Sequence, residues 1–396
     1  MIRHILKMLW IQKRNYFGIF IEQLLVAVVL MLCIVSVAEA VKKYRIPGMM
    51  NVDNVLLIGY MFQQGSNKSD IMMDDVRKNM AAISDKLRKL PFVESVSFSL
   101  NLTPYTRPAS SYLWVSKDSV VIDENRFEAV LKYSDEFGAS IFKLDMEEGT
   151  WLENHSMTDG AAPAVITRQL ADKAGWTAAV GKKITIKSGS YTVVGVAAGL
   201  KQHPFEPSPV AMVIPEYTVK DKISDFSEVV VRLKSHSQDL LYDVFNAEFK
   251  RLMPKGVEPL VYNMESIKSD LMNSTILSIV LQAIPTVFLL IFAFIGTFSL
   301  YRLHFHKQRK EFALRIALGS TKSRLMAIVI GESLLITCIA VIPALLLSFF
   351  IYEYAAVHVI GVGVTVGVML LFSAVSAWYP AWKVSRVNPA EALQYE

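Results

Sequence analysis

Cysteine and histidine are too scarce in this chain to build redox or metal chemistry, with two and seven respectively among 396 residues. Cys33 and Cys338 fall within long apolar runs, where they read as small packing residues and not as a structural disulfide. The histidines are scattered. His304 and His306 stand two apart, which on a helix points them to different faces, and there is no H-E-x-x-H pair or nucleophile elbow. A phosphate loop is also missing: in Gly175 to Lys183, GWTAAVGKK, five residues rather than four separate the glycines. Lys183 then stands where Ser or Thr should bind magnesium. Gly361, Gly363 and Gly367 form no dinucleotide fingerprint, because they lie in an apolar run where small residues permit close helix packing. These absences exclude ATP hydrolysis by this chain alone, and no cofactor is expected on it.

Long apolar runs, by contrast, are plentiful. A hydrocarbon core of roughly 30 Å needs about 20 apolar residues, and four segments reach that length: Ile19 to Ala38, Leu277 to Leu300, Leu325 to Ile351 and Val359 to Trp378. With 53% hydrophobic residues and 19% charged, and a mean hydropathy of +0.35, the composition fits a chain partly in lipid with a large soluble region. Ala38-Glu39-Ala40 resembles a signal-peptide cleavage site, but the apolar stretch before it exceeds the roughly 7–15 residues of a signal core. An uncleaved first span is the reading.

Basic residues set the orientation. Arg3, Lys7, Lys13 and Arg14 precede the first span without an acid, and Arg302, Lys307, Arg309, Lys310, Arg315, Lys322 and Arg324 crowd the loop between spans two and three. Lys383 and Arg386 follow span four, whereas the loop from Tyr352 to His358 has neither Lys nor Arg. Both termini and the basic loop are therefore expected in the cytoplasm, and segment 41–272 outside it. That segment is near neutral, with 28 Lys plus Arg against 29 Asp plus Glu over residues 41–270. The net charge of +5 thus reflects topology, and no nucleic-acid partner is implied. Lys42, Lys43 and Arg45 break the rule, since they sit just outside the first span.

The expected fold is an α-helical membrane protein of four transmembrane helices plus a large extracytoplasmic α+β domain of two lobes. Residues 1–18 read as a cytoplasmic amphipathic helix lying in the interface, followed by span one at 19–40. The outer domain at 41–272 is divided into lobes of about 41–148 and 149–235, with a return helix over 237–272. Span two follows at 273–301, a cytoplasmic coupling loop and helix at 302–324, span three at 325–351, an outer loop at 352–358, span four at 359–379 and a tail at 380–396. Within the domain, Met72, Val76, Met80, Ile83, Leu87 and Leu90 keep helical spacing behind a Ser69 or Asp70 cap until Pro91. Phe92 to Leu100, Tyr112 to Val115, Phe127 to Tyr133, Ala164 to Thr167, Val210 to Pro215 and Glu228 to Leu233 read as strands. Lys183 to Lys187 and Tyr191 to Val196 form a hairpin.

The most informative stretch is Lys307 to Ser320, KQRKEFALRIALGS. Phe312, Ala313, Ile316 and Ala317 recur at helical spacing, with Arg309, Lys310, Arg315 and Lys322 on the polar flank and Gly319 as the stop. Glu332 lies about two turns inside span three, where a carboxylate is costly. Its nearness to the cytoplasmic end, with interfacial water or Arg324 in reach, favours a structural role.

One span, a large outer domain and three further spans, with RKEFALRIALGSTKSRL, a Glu-Ser-Leu-Leu opening to span three and a C-terminal YPAWKVSRVNPAEALQYE, together resemble the permease subunits of the MacB/FtsX/LolC-type ABC transporter superfamily. EEGTWL, PAVITRQLA and VGKKITIKSGSYTVVGVAAGLK resemble the periplasmic core of that family. The resemblance implies a multi-pass inner-membrane permease without a fused ATPase. Such a permease pairs with a second copy or a sister permease and relays the stroke of a separate cytoplasmic ATPase, which holds ATP and magnesium, to a periplasmic partner or cargo. It carries the ATPase contact onto Glu311, Phe312, Arg315, Ala317, Leu318 and Gly319. A tail contact falls on Pro389, Glu391, Ala392 and Leu393, with either the ATPase or the inner loop as its target. Anchoring on membrane lipid is the plainer role of the basic helix. A sensor receptor and an anchored periplasmic enzyme are the alternative functions.

Overall fold

The computed structural model describes residues 13–63, 73–105, 117–122, 125–152, 161–215, 228–235, 237–307, 309–351 and 356–386. The expected N-terminal interfacial helix, the Ser69 or Asp70 cap, the strand at Tyr112 to Val115 and the tail positions Pro389, Glu391, Ala392 and Leu393 lie outside the described residues, wholly or for the most part. Two compact units emerge. One is Lys43–Thr275, and the other combines Met1–Lys42 with Ile276–Glu396.

Among the described residues, four helices are long and apolar enough to cross a bilayer: α1 (Lys13–Arg45), α6 (Met264–Lys307), α8 (Lys322–Ile351) and α9 (Ala356–Ser385). Each extends past the apolar run that marks its span, because helical backbone remains the natural state where the flanking polar residues reach the interface. Pro285, Pro343 and Pro380 lie within helices, as membrane helices tolerate when neighbours resupply the freed carbonyls. Small residues let the spans close up: Ala27, Ala293, Ala340, Ala344 and Ala377 are all buried at 4% exposure or less.

The described residues of the globular unit form eleven strands in one connected sheet system. Strands β1 (Val55–Phe62), β2 (Val93–Leu100), β10 (Glu228–Leu233) and β11 (Val257–Asn263) lie side by side in the order β11-β1-β10-β2, all antiparallel. With α2 (Met73–Leu87) after β1 and α5 (Gln238–Leu252) before β11, this is a split β-α-β lobe. Its core joins Ile58 and Val96 with Ile83, Leu87, Val231, Phe245 and Phe249. The two helices are tied by an ion pair of Lys86 with Glu248 and by Asn79 Nδ2 donating to Leu252 O at 2.8 Å.

Everything between β2 and β10 is an insertion. β3 (Lys117–Ile122), β4 (Asn125–Ser134), β6 (Ala162–Thr167), β7 (Lys183–Ile186), β8 (Gly189–Ala197) and β9 (Ala211–Pro215) pair in the circuit β4-β3-β7-β8-β6-β9 and back to β4. A closed ring removes the bare edges that invite wrong pairing. The short helix α3 (Gly138–Phe142), strand β5 (Met146–Gly149) on β8, and α4 (Arg168–Lys173) complete it.

This topology corrects two boundaries. The lobes do not divide near residue 148: β3 and β4 belong with the ring that follows, while β10 returns to the first lobe, because its partners are β1 and β2. The return segment 237–272 is likewise not one helix. After α5 the chain makes β11, whose Leu260 and Tyr262 register with Gly59 and Leu57, and only then starts α6. Pro259 argues against a strand in the sequence, but it is tolerated because β11 is at the sheet edge and pairs with β1 alone.

Candidate functional site

The basic loop folds as α7 (Arg309–Ala317), and its C-terminal end is closed by hydrogen bonds that the sequence dictates. At the C-terminus Ser320 N donates to Arg315 O at 2.9 Å and Gly319 N to Ile316 O at 3.0 Å, with Gly319 at φ +92°. That is a Schellman stop, and glycine occupies it because a Cβ disfavours the left-handed backbone. One residue on, Thr321 caps α8 by accepting from Arg324 N at 3.4 Å. The turn between α7 and α8 is thus fixed on both sides.

One face of α7 is anchored. Phe312 is 3% exposed and Ala313 fully buried, in a cluster with Ile19 of α1, Tyr301 of α6, Leu325, Val329 and Ile336 of α8, and Ala377 and Ala381 of α9. Phe312 thus belongs to an apolar cluster that draws side chains from all four spans. The other face is open: Glu311 and Ala317 are exposed, as are Leu314 at 52% and Leu318 at 79%. Arg315 pairs with Glu311 one turn back and lies 5.9 Å from the Phe312 ring centroid.

The six residues assigned to an ATPase contact therefore separate. Glu311, Ala317, Leu318 and Gly319 lie exposed on one surface, Arg315 lies partly covered beside them, and Phe312 faces inward. Ala317 shares the helical spacing of Phe312, Ala313 and Ile316 but is exposed, whereas Ile316 packs against the cluster. Sequence reasoning passed over Leu314. It stands four residues before Leu318, to which the resemblance carries the ATPase contact, and is exposed with it.

Above α7 the spans are stitched together by short polar side chains. Thr337 Oγ1 of α8 donates to Gln23 Oε1 of α1 at 2.5 Å, and the Ser333 and Ser373 hydroxyls of α8 and α9 meet at 2.6 Å. Thr297 Oγ1 of α6 donates to Glu22 Oε2 of α1 at 3.2 Å. Gly296 makes room for that carboxylate, since a Cβ there would lie 2.3 Å from Glu22 Oε1. Glu332, for which a structural role is expected, is 1% exposed, so interfacial water does not reach it. Farther along the bundle His358 Nε2 and Glu39 Oε1 lie 2.6 Å apart, joining α9 to α1.

Among the described residues, no group of three or more His, Cys, Asp or Glu side chains could hold a metal ion, and Cys33 and Cys338 are both free thiols. In the globular unit Arg168 forks onto Glu147 and Glu148. The Ala179 amide, donating at 3.0 Å, and the Arg168 guanidinium hold the Glu148 carboxyl below the ordinary range. Asp135 moves the other way, raised by burial against the hydrogen bonds it accepts from Ser97, Phe98 N and Phe137 N. Asp135 is taken up by bonds from Ser97 and two backbone amides, and Glu148 by Arg168 and the Ala179 amide, so both read as structural.

Comparison with known proteins fits this division of the chain. Residues 24–240 match the model of the MacB-like periplasmic core domain, and residues 283–389 that of the FtsX-like permease C-terminal region. The macrolide export ATP-binding/permease protein MacB of Campylobacter jejuni is 22% identical over 231 residues, covering 55% of this chain and 36% of that protein. MacB 1 of Yersinia pestis bv. Antiqua is 24% identical over 284 residues, covering 68% and 43%. The chain thus spans less than half the length of these curated relatives. The periplasmic region of MacB from Actinobacillus actinomycetemcomitans overlays with a TM-score of 0.38 at 17% identity, covering 56% of this chain and 94% of that one. The extracellular domain of the ABC-type transporter YknZ gives 0.37 at 16% identity, covering 52% and 100%. With more than half of its length matched by the periplasmic core model and its later spans by the permease model, the chain belongs to the MacB/FtsX-type superfamily of ABC transporter permeases.

Proposed function

We propose that this chain is a mechanical relay. It lies in the inner membrane with both termini and α7 in the cytoplasm. A separate ABC ATPase, holding ATP and magnesium, docks on the exposed face of α7 and drives the spans, whose movement reaches the outer domain and its cargo. The observation that carries this reading is the seating of Phe312. A helix whose Phe312 is buried in a cluster drawn from four spans, and which shows Leu314 and Leu318 outward, suits a lever better than a loose basic anchor on lipid. The polar seam supports it, because interhelical hydrogen bonds in an apolar medium keep spans moving together. Helices α1 and α6 are unbroken between their apolar runs and the start and end of the domain. The cargo and the choice between a homodimer and a pair of sister permeases are left to experiment.

The test is reconstitution with the ABC ATPase subunit that co-purifies with the full chain. Leu314→Asp with Leu318→Asp should abolish ATPase association and permease-stimulated hydrolysis while leaving the chain folded in detergent. Unchanged association would remove the lever. A sensor receptor or an anchored enzyme would instead work without any such subunit.

A further inference from the structure

Lys42, Lys43 and Arg45 sit on the wrong side of the first span for the charge rule, and the relay gives them no task. They form the last turn of α1, where Tyr44 is 43% exposed and Lys42 and Arg45 are exposed. That turn is held in place. Lys201, fully buried, donates from Nζ to Lys43 O at 2.6 Å and to Tyr44 O at 3.4 Å, meeting carbonyls that a helix end leaves open. The Lys201 amide donates to Gly48 O at 2.9 Å. Gly48, at φ +101°, packs so close that a Cβ would lie 2.7 Å from Gly199 Cα. The same loop brings the Phe205 ring within 5.6 Å of Tyr44, with His203 6.3 Å beyond.

Depth along α1 says what this turn meets. The apolar run ends at Ala38, so Lys42 to Arg45 lie about 6 to 10 Å past it at 1.5 Å per residue. The polar layer of a bilayer leaflet is roughly 5–8 Å thick, so the cations reach its outer part and the Tyr44–Phe205 pair has the place of an interfacial aromatic belt. Glu39 is engaged by His358, and Glu206, exposed next to Phe205 in the chain, is an acid on the same loop.

We propose that Lys42, Lys43 and Arg45, braced by Lys201 and flanked by Tyr44 and Phe205, bind the phosphate headgroups of anionic lipids in the leaflet opposite α7. The excess of cations over acid there inverts the usual asymmetry, and a fixed aromatic pair sets the headgroups' depth. The site depends on α1 spanning the bilayer and not on any ATPase, so its failure would leave the relay standing.

A photocrosslinking benzophenone amino acid at position 205, in the full chain reconstituted into phosphatidylcholine vesicles with a minor fraction of phosphatidylglycerol, tests it. Mass analysis of the captured lipid should show phosphatidylglycerol enriched several-fold over its bulk share, given roughly fivefold per juxtamembrane cation before the opposing acid is counted. The triple change Lys42→Gln, Lys43→Gln, Arg45→Gln should return capture to the bulk ratio, and Glu206→Gln should raise it. Lys322→Gln with Arg324→Gln, at the other end of the bundle, should leave it unchanged. Capture in proportion to bulk composition, or no captured lipid at all, would overturn the assignment.

Discussion

Arg232 carries the sharpest test of how the globular unit is held together. It is 2% exposed, and its guanidinium donates to Ile141 O at 2.5 Å, Asp53 O at 2.9 Å, Asn51 O at 2.8 Å and Asn51 Oδ1 at 2.9 Å. It therefore ties β10 both to the segment leading from α1 into β1 and to the end of α3. Burial lowers the Arg232 pKa from the usual arginine value, yet no other side chain stays charged so reliably with donors spread over three carbonyls. Arg232→Ala removes several charge-assisted bonds at about 1.5–3 kcal/mol each and leaves carbonyls to be rehydrated through the cavity, so about 3–5 kcal/mol net is expected. For a domain of this size that lowers the midpoint by roughly 6–20 °C. Thermal unfolding of the full chain in detergent, with hydrogen exchange localised to residues 51–55 and 228–233, would measure it. Arg232→Lys, able to reach fewer acceptors, should fall between the two. A midpoint within about 3 °C of wild type for the alanine variant, or exchange unchanged in those segments, would refute the reasoning.

Phe312→Ala should loosen the membrane unit by about 3–5 kcal/mol, seen as faster proteolysis of the α7 turn, while Leu314→Asp should leave that turn protected and affect only ATPase docking. Thr337→Val removes the hydrogen bond to Gln23 and should cost about 0.6–2 kcal/mol, read from denaturation in mixed micelles. Glu148 is depressed in the folded chain, so its stabilisation is present above the ordinary glutamate value of about 4.3 and is lost as pH falls through the lower folded value. Glu148→Gln should therefore flatten the acid limb of the stability profile below about pH 4.3; an unchanged limb would remove Glu148 from it. Leu281, 61% exposed on the span least covered by its own chain, is a natural place to seek a second permease, and Leu281→Cys should give a disulfide-linked dimer in membranes if α6 lies at that contact.

The spans were legible because lipid imposes one requirement, about 20 apolar residues in a row, that a sequence displays openly. α2 and α5 were legible for a related reason, since Met80, Ile83 and Leu87 or Leu241, Phe245 and Phe249 repeat on one face. What escaped depends on distant residues. The parallel pairing of β4 with β9 joins Val130 to Ala211, and nothing local announces it. β11 was obscured by Pro259. In the site, the period of α7 revealed which positions are apolar, but not which of them the bundle covers. Phe312, to which the resemblance carries the ATPase contact, is buried in the bundle, while Leu314, outside that set, is exposed. Arg232 and Lys201 look like surface cations in the sequence, and only the folded backbone brings their carbonyl partners together.

The six-stranded ring leaves the main lobe after Leu100 and re-enters at Glu228, and Glu228 is the cross-strand neighbour of Ser99. Its two seams are therefore adjacent on one antiparallel ladder, and further bonds key the head into its base. Ser99 and Leu100 register with Ser134 and Tyr133, Asp135 accepts from Ser97 Oγ and Phe98 N, and Arg232 reaches across to Ile141 O. A transplant of residues 101–227 from a relative should therefore seat only where the donor brings an acid at the place of Asp135 and a carbonyl for Arg232.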